Sequence, residues 1–202
     1  MDLVHQIAIG AGLAWASGIR LYAVLFLAGL LAHFGVIQLP SGLHLLMHPL
    51  VLTVSGLMFM LEFFADKIPG FDSVWDAIHT FIRIPAGAVL AAATFSDVDP
   101  ALMLAAGLVG GTIASGSHFT KAGSRAVINT SPEPFSNWAA SFSEEAVVLG
   151  GLWAMFLHPV AFLVLLVLFL CFAAWLLPKF WRGIKLLAQR IRGGETAAPR
   201  LD

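Results

Sequence analysis

Six long apolar segments run through the chain, and they constrain its fold more than any other feature. They cover residues 3–36, 49–64, 74–95, 100–119, 138–157 and 159–177. A helix needs about 20 residues to cross the roughly 30 Å hydrocarbon core of a bilayer. Lipid offers no hydrogen-bond partners to the backbone, so membrane segments of this kind fold as helices. We therefore predict an all-α, polytopic helical membrane protein with about six transmembrane segments.

Composition favours a membrane protein over a soluble one. Charged residues make up 11% of the chain, whereas a soluble domain carries about 25%. The length suits one transmembrane bundle, which we predict over residues 1–178. Residues 179–202 alternate cationic with apolar residues, and we expect this basic amphipathic tail to lie on anionic lipid at the cytoplasmic face.

The positions of Lys and Arg predict the topology. Lys67, Lys121 and Arg125 fall between apolar segments, the tail is basic, and the other connections lack Lys and Arg. Because cytoplasmic loops carry an excess of these residues, six crossings place both termini on the cytoplasmic side. The first segment is longer than one crossing requires, so we expect it to tilt, protrude or break.

Two pairs of similar stretches suggest an internal repeat. GLAWASGIRLYA at 12–23 and GGTIASGSHFTKAG at 110–123 share Gly-x-x-x-Ala-Ser-Gly. PGFDSVWDA at 69–77 and PEPFSNWAA at 132–140 both lead from Pro through Phe and Ser to Trp. Transporters are often built from such repeats, so we expect an inverted internal repeat with broken or re-entrant helices. Chance similarity between helices rich in Gly, Ala and Ser is the alternative.

The predicted topology treats the two pairs differently. It runs the first pair in opposite directions, as an inverted repeat requires, and the second pair in the same direction, which an inverted repeat forbids. A re-entrant stretch between Lys121 and Trp138, in place of a loop, would remove this conflict.

The chain resembles a widespread family of bacterial integral membrane proteins catalogued as a domain of unknown function. The resemblance rests on EFFADKIPGFDSVWDAIHTFIRIPAGAVLAA at 62–92, with GIRLYAVLFLAGL before it and FTKAGSRAVINTSPEP after it. It extends over roughly residues 3–157. It implies a small multi-helix inner-membrane protein, and it brings no substrate and no catalytic residues.

Ionisable and small polar residues inside the membrane segments are the functional candidates. Charges in hydrocarbon are costly, and they normally pair with one another or face a cavity. The predicted substrate or ion pathway consists of Ser17, Arg20, Glu62, Asp66, Arg83, Ser115, His118, Lys121, Glu144 and Glu145.

Each candidate group has a functional and a structural interpretation. Glu62 and Asp66 lie four residues apart on one helix face, and they form either an entry site for a cation or proton, or part of a polar loop neutralised by Lys67 and Arg83. Glu144 and Glu145 either carry protons or form buried salt bridges.

The small-residue stretches have two interpretations as well. The glycines and serines from 107 to 117 favour close helix packing, and an opened helix that exposes its backbone to substrate is the alternative. Arg83 stands two residues before Pro85, where a kink with a salt bridge competes with an anion site.

Catalytic and metal motifs are not found in the sequence. His44 and His48 share a helical spacing but lack a third ligand nearby, so no metal is predicted. No nucleophile elbow, phosphate loop or CxxC occurs, so we predict no catalytic residues and no cofactor, and an enzyme is disfavoured. Nucleic-acid binding is not expected, since no basic face with interleaved aromatics precedes the tail.

The first functional hypothesis is a small transporter or channel for a small polar or anionic solute, with proton coupling as an option. In this hypothesis the two Ala-Ser-Gly elements meet near the bilayer midplane. A lipid-handling protein, either flippase-like or a head-group enzyme, and a structural membrane factor are the alternatives. Expected partners are membrane lipid, a small solute or ion, and a second copy of the chain in a homodimer.

Overall fold

A computed structural model describes residues 1–68, 70–130 and 134–195, the side chains of residue 134 and of residues 184–195 excepted. Over these ranges the chain is helical and contains no strand, which confirms the all-α prediction. The predicted tail at 179–202 falls largely on residues outside this description. The helices are α1 Leu3–His33, a 3-10 helix Ser41–Met47, α2 Pro49–Ala65, α3 Phe71–Ala93, α4 Pro100–Ile128, α5 Pro134–Leu157 and α6 Pro159–Glu195.

Prolines and capping side chains fix where several helices begin. Pro49 and Pro100 stand in the first turns of α2 and α4, where a missing N–H costs nothing and the fixed φ suits a helix. The Asp99 carboxylate accepts the backbone N–H groups of the first turn of α4. Asp2 accepts the N–H of His5 in the same way, and this bond lowers the pKa of Asp2.

Helix α1 is broken at Arg20 and folds back on itself. Arg20 has φ −145° and ψ 78°, outside the helical range. A straight helix of 31 residues would be about 46 Å long. Instead, His5 and Gln38, from the two ends of this segment, line the same cavity. α1 is therefore a re-entrant hairpin with arms at 3–19 and 21–33, and the expected break is confirmed.

The first arm of the hairpin runs parallel to α4. Ile7 and Leu102 line one cavity near the start of both helices. Further along, Gly18 lies so close to α4 that an added Cβ would overlap Ser117 and the Ala114 carbonyl. The packing interpretation of the small-residue stretch is therefore confirmed, and α4 continues as a helix through Ser115.

Helices α3 and α5 run in the opposite direction to the first arm. The Gln6 side chain donates to the carbonyl of Thr94 at the end of α3. On α5, Ser141 near the start contacts Arg20, whereas Phe156 near the end contacts His5.

Both pairs of similar stretches thus run in the same direction. An inverted repeat relates helices of opposite direction, and the observed directions correspond to a parallel repeat. The second arm of α1 and helix α2 lie between the first arm and α3, inside the first half, and the described residues of the second half contain no corresponding elements. The repeat itself stays a prediction, and residues 69, 132 and 133 of its second pair lie outside the described part.

The stretch between Lys121 and Trp138 was expected to be a loop or to re-enter the membrane, and part of it is helical. α4 continues to Ile128 and α5 begins at Pro134, so Lys121 and Arg125 lie within α4. The re-entrant element of the fold is α1, because Arg20 breaks that helix.

Four helices, α1, α4, α5 and α6, are long and apolar enough to cross a membrane. The 3-10 helix and α2, bent by 67°, would together make a fifth span. The hairpin returns α1 to the end of the bundle where it started. As a result the N-terminus lies beside Phe156, whereas Phe180 of α6 packs against Gly123 at the other end. The side of the membrane on which each terminus lies stays a prediction.

Gly18→Ala should destabilise the protein, because the new methyl group overlaps α4 at Ser117 and Ala114. We expect a loss of about 1–3 kcal/mol in the free energy of unfolding, measured by thermal or denaturant unfolding in detergent. The control is Gly150→Ala, which meets no heavy atom within 4 Å. Equal stability of the two variants would contradict the close approach of α1 and α4.

The two ends of the chain should react from opposite sides of the membrane. Asp2→Cys and Arg182→Cys, each combined with Cys171→Ser, place single thiols at exposed positions of the two ends. A membrane-impermeant maleimide should label one variant in intact cells and the other in inside-out vesicles. Labelling of both from the same side would mean that α1 crosses the membrane.

Candidate functional site

Eleven charged side chains gather at one end of the bundle, where α2 and α4 end, α3 and α5 begin, and the tip of α1 is inserted. We call this group the charge cluster. Eight of its members are buried, and Lys67, Glu144 and Glu145 are partly exposed. The charge cluster consists of Arg20, Glu62, Asp66, Lys67, Asp72, Asp76, Arg83, Lys121, Arg125, Glu144 and Glu145.

The charge cluster lies far from the start of α4. From Pro100 to Lys121 α4 rises about 31 Å, at 1.5 Å per residue. A hydrocarbon core is about 30 Å thick, so if α4 starts at one boundary the charges lie close to the other. The expectation that the two Ala-Ser-Gly elements meet near the bilayer midplane stays a prediction.

Asp66 is the centre of the charge cluster. This residue follows the end of α2, and its side chain is fully buried. Its Oδ2 lies 2.8 Å from Lys121 Nζ and 3.1 Å from Arg20 Nη2. Arg125 Nη2 lies 3.9 Å from the same oxygen. One carboxylate thus joins the tip of α1 to two cations of α4.

Arg20 connects the hairpin tip to α5. Its Nη2 donates to the Ser141 hydroxyl at 2.8 Å and lies 3.5 Å from both Glu144 Oε2 and Glu145 Oε1. Lys121 Nζ donates to the carbonyl of Ile19 at 3.2 Å, next to the break. A cation of α4 therefore satisfies a backbone group where the helical pattern of α1 is interrupted.

Arg125 holds Glu144 with two parallel bonds. Its Nε lies 2.8 Å from Oε1 and its Nη2 lies 3.0 Å from Oε2. This forked geometry is the strong form of an arginine–carboxylate pair. The remaining nitrogen, Nη1, donates to the backbone carbonyl of Asp66 and to the Asn137 side chain, each at 3.0 Å. Arg125 therefore links α5 to the residue that follows α2.

Arg83 forms a second centre with two carboxylates. It lies 2.6 Å from Glu62 Oε1 and 2.6 Å from Asp76 Oδ1. All three side chains are buried, and Lys121 Nζ lies 3.4 Å from Asp76, which joins the two centres. Arg83 therefore forms salt bridges, as the structural interpretation of this residue predicted.

Seven of the ten predicted pathway residues belong to the charge cluster, and three do not. Ser17 donates to the carbonyl of Ala14, and Ser115 donates to that of Gly111, so these hydroxyls serve their own helices. The His118 ring lies 2.7 Å from the Thr80 hydroxyl, at the edge of the cluster. The seven are Arg20, Glu62, Asp66, Arg83, Lys121, Glu144 and Glu145.

Sequence reasoning missed part of the site. Arg125 was read as a charge of a loop, although its spacing of four residues from Lys121 puts both on one helix face. Asp72 was not among the predicted pathway residues, although its carboxylate is buried and accepts from the Asn129 side chain at 2.8 Å and from the Ser73 N–H at 2.7 Å. Among the described residues, no three His, Cys, Asp or Glu side chains are placed to hold a metal ion.

A cavity of about 190 Å³ adjoins the charge cluster between α4, α5 and α6. Lys121 and Glu144 line it on the side of the charges, and Phe169 of α6 lines it opposite. The side chain of Glu144 is 14% exposed and that of Glu145 is 18% exposed, more than any other carboxylate of the cluster. Glu144 is thus a member of the charge cluster that both lines the cavity and is partly exposed.

Glu62→Gln should destabilise the protein strongly. The substitution leaves the buried Arg83 with one carboxylate instead of two, and breaking a buried ion pair costs roughly 3–5 kcal/mol. Thermal unfolding in detergent measures the loss. Asp97→Asn is the control, because Asp97 is exposed between α3 and α4 and should change stability by less than about 0.5 kcal/mol. A similar, small effect of both substitutions would mean that the Arg83 pairs contribute little.

Comparison with known proteins identifies the family but no function. No curated protein matches the chain, and no solved structure matches it. Residues 7–179 match one family. This range includes the whole charge cluster and all of α1 except residues 3–6. The chain belongs to the family described as Domain of unknown function (DUF4126).

Proposed function

We propose that this multi-pass membrane protein is a small proton-coupled transporter, with the charge cluster as its coupling site. The observation that supports this most is the broken helix α1, which presents Arg20 to three carboxylates at its tip. Secondary transporters commonly build their sites from discontinuous helices of this kind. Non-helical backbone at membrane depth is tolerated where protein or a cavity surrounds it, and here Lys121 satisfies that backbone.

The energetic cost of the charge cluster argues against a purely structural role. Buried ion pairs are often no more stabilising than apolar residues of similar volume. A bundle that only needed to hold together would not require eight buried charges in one place. Charged groups inside membrane proteins usually mark pathways for ions, protons or substrates.

The composition of the charge cluster suggests where a proton binds. It contains five cationic side chains and six carboxylates, so one carboxylate is in excess. Glu145 contacts both Arg20 and Lys67, at 3.5 Å and 3.7 Å. Protonation of Glu145 would weaken both contacts and release Arg20 from one of its partners. The hairpin tip could then move relative to α5 and open the site. In this way, binding of the proton is coupled to opening.

The proposed location is a bacterial inner membrane, with the charge cluster towards the cytoplasm. Lys67 lies at that end, and Lys179 lines a cavity there with Gly123 and Val127 of α4. The positive residues at this end match the rule for cytoplasmic sides. Contact of the tail with anionic lipid and formation of a homodimer stay predictions.

Lipid handling is the second candidate function. An apolar groove of about 610 Å³ runs between α4 and α6, lined in part by Phe119, Leu177 and Phe180. A groove of this size could take an acyl chain, with the head group near the basic end of α6. Scrambling of fluorescent phospholipid in proteoliposomes, with no solute-driven pH change, would favour this candidate over the transporter.

The transporter proposal can be tested in proteoliposomes that contain an entrapped pH dye. Methylguanidinium, N-methylurea, glycine and phosphate are added in turn as probes of different charge. One of them should change the internal pH faster than in empty liposomes. Glu144→Gln and Arg20→Lys should reduce this rate at least about tenfold, because Glu144→Gln removes one of the carboxylates that contact Arg20, and Arg20→Lys removes the guanidinium that contacts all three of them.

Two controls make the result decisive. Asp97→Asn and Arg182→Ala remove exposed charges outside the cluster and should leave the rate unchanged. Absence of a pH change with all four probes, or unchanged rates in Glu144→Gln and Arg20→Lys, would refute the proposed coupling.

A further inference from the structure

We infer that the solute is a small organic cation with N–H donors, such as an alkylammonium or alkylguanidinium ion, which binds at Glu144 in exchange for one proton. This inference rests on the proposed transport function, and it names the substrate class. It replaces the polar or anionic solute that the sequence suggested. The cavity between α4, α5 and α6 carries the argument.

The walls of this cavity combine carbon with hydroxyl groups. Ile19, Val147 and Phe169 supply apolar surface for a short alkyl group. The polar residues in the lining are Ser117, Thr120, Lys121, Ser124, Ser143 and Glu144.

All four hydroxyls of the lining have already used their hydrogen. Ser124, Thr120 and Ser143 each donate to a carbonyl of their own helix at 2.7 Å. Ser117 donates in the same way to Ala114 at 3.1 Å. A hydroxyl has one hydrogen and two lone pairs, so these groups have only acceptor capacity left. A ligand that binds them must donate hydrogen bonds.

The charges next to the cavity select for a cation as well. Lys121 is engaged by Asp66 at 2.8 Å and by the Ile19 carbonyl at 3.2 Å, and Arg125 is engaged by Glu144 through two bonds. An entering anion would therefore have to displace existing partners. A monovalent cation instead neutralises the one carboxylate that the cluster has in excess.

The one carboxylate in excess over the cations of the charge cluster also explains why the cation should compete with a proton. Glu144 faces Arg20 from α1, Asp66 beyond the end of α2, Lys121 and Arg125 from α4, and its neighbour Glu145. Either a proton on a carboxylate or a bound cation restores balance, and both together would leave a positive excess. The cation therefore releases the proton to water when it binds, and its apparent affinity should fall as the pH falls.

Isothermal titration of the purified full-length protein in detergent tests this inference. The probes are methylguanidinium, its neutral analogue N-methylurea, and tetramethylammonium, which has the charge but no N–H donor. Methylguanidinium should bind at least about tenfold more tightly than either analogue. About one proton should be released per cation bound, as measured in buffers of different ionisation enthalpy. Equal binding of N-methylurea, or no proton release, would overturn the inference.

Variants locate the site. Glu144→Gln should abolish binding. Val147→Phe should weaken it at least about tenfold by filling the cavity, without altering a charge. Thr120→Val should weaken binding severalfold by removing an acceptor of the lining. Its control is Thr112→Val, whose hydroxyl makes the same bond within α4 but lies outside this cavity. Unchanged binding in Val147→Phe and Thr120→Val would overturn the site.

The two proposals fail in distinguishable ways. If methylguanidinium binds but causes no pH change in proteoliposomes, the transport function fails and the cation site stands. If glycine or phosphate drives the pH change and methylguanidinium does not bind, transport stands and this inference fails.

Discussion

The buried carboxylate of Asp66 is the interaction on which the rest of the structure depends. It lies within 4 Å of three cations, Arg20, Lys121 and Arg125, and those cations come from two different helices. Without it, three positive charges would lie together in a site from which water is largely excluded, and the penalty for such charges is several kcal/mol each. Because Asp66 follows α2 directly, the same contact also fixes the end of that helix. The positions of α1, α2 and α4 at this end are therefore set by one side chain.

The break in α1 follows from this arrangement. A continuous helix would carry Arg20 past the carboxylates, whereas the hairpin places it at a tip among them. Interrupting a helix inside a membrane requires partners for the backbone, and Lys121 supplies one at Ile19. Small residues make the insertion sterically feasible, because an added Cβ at Gly18 or Gly87 would overlap a neighbouring helix. The hairpin also changes the parity of the crossings, and this is why the two ends of the chain lie at opposite ends of the bundle.

The charge cluster has an inner and an outer layer, and the difference bears on function. Asp66 and Arg83 are fully buried and make short ion pairs, as a rigid frame requires. Glu145 is partly exposed, and its contacts with Arg20 and Lys67 are longer, at 3.5 Å and 3.7 Å. Groups of this kind can exchange partners at lower cost, because solvent compensates part of each lost contact. A frame with an adjustable outer layer beside a cavity fits a protein that binds and releases a small charged solute.

Several features could be predicted from the sequence because they depend on local physics. Long apolar segments must be helices in lipid, and all six predicted segments lie on helices. Charges inside such segments must find partners, and seven of the ten chosen residues belong to the charge cluster. The length of the first apolar segment allowed a break as one of three outcomes, and the structure places that break at Arg20. The direction of the chain after that break could not be predicted, because a tilted helix, a protruding helix and a hairpin have the same hydropathy. The composition and the approximate positions of the apolar helices were thus determined by the sequence alone. Which cation meets which carboxylate, and at which end of the bundle each end of the chain lies, was decided only by the tertiary structure, because ion pairs between residues as distant as Arg20 and Glu144 depend on how the helices pack.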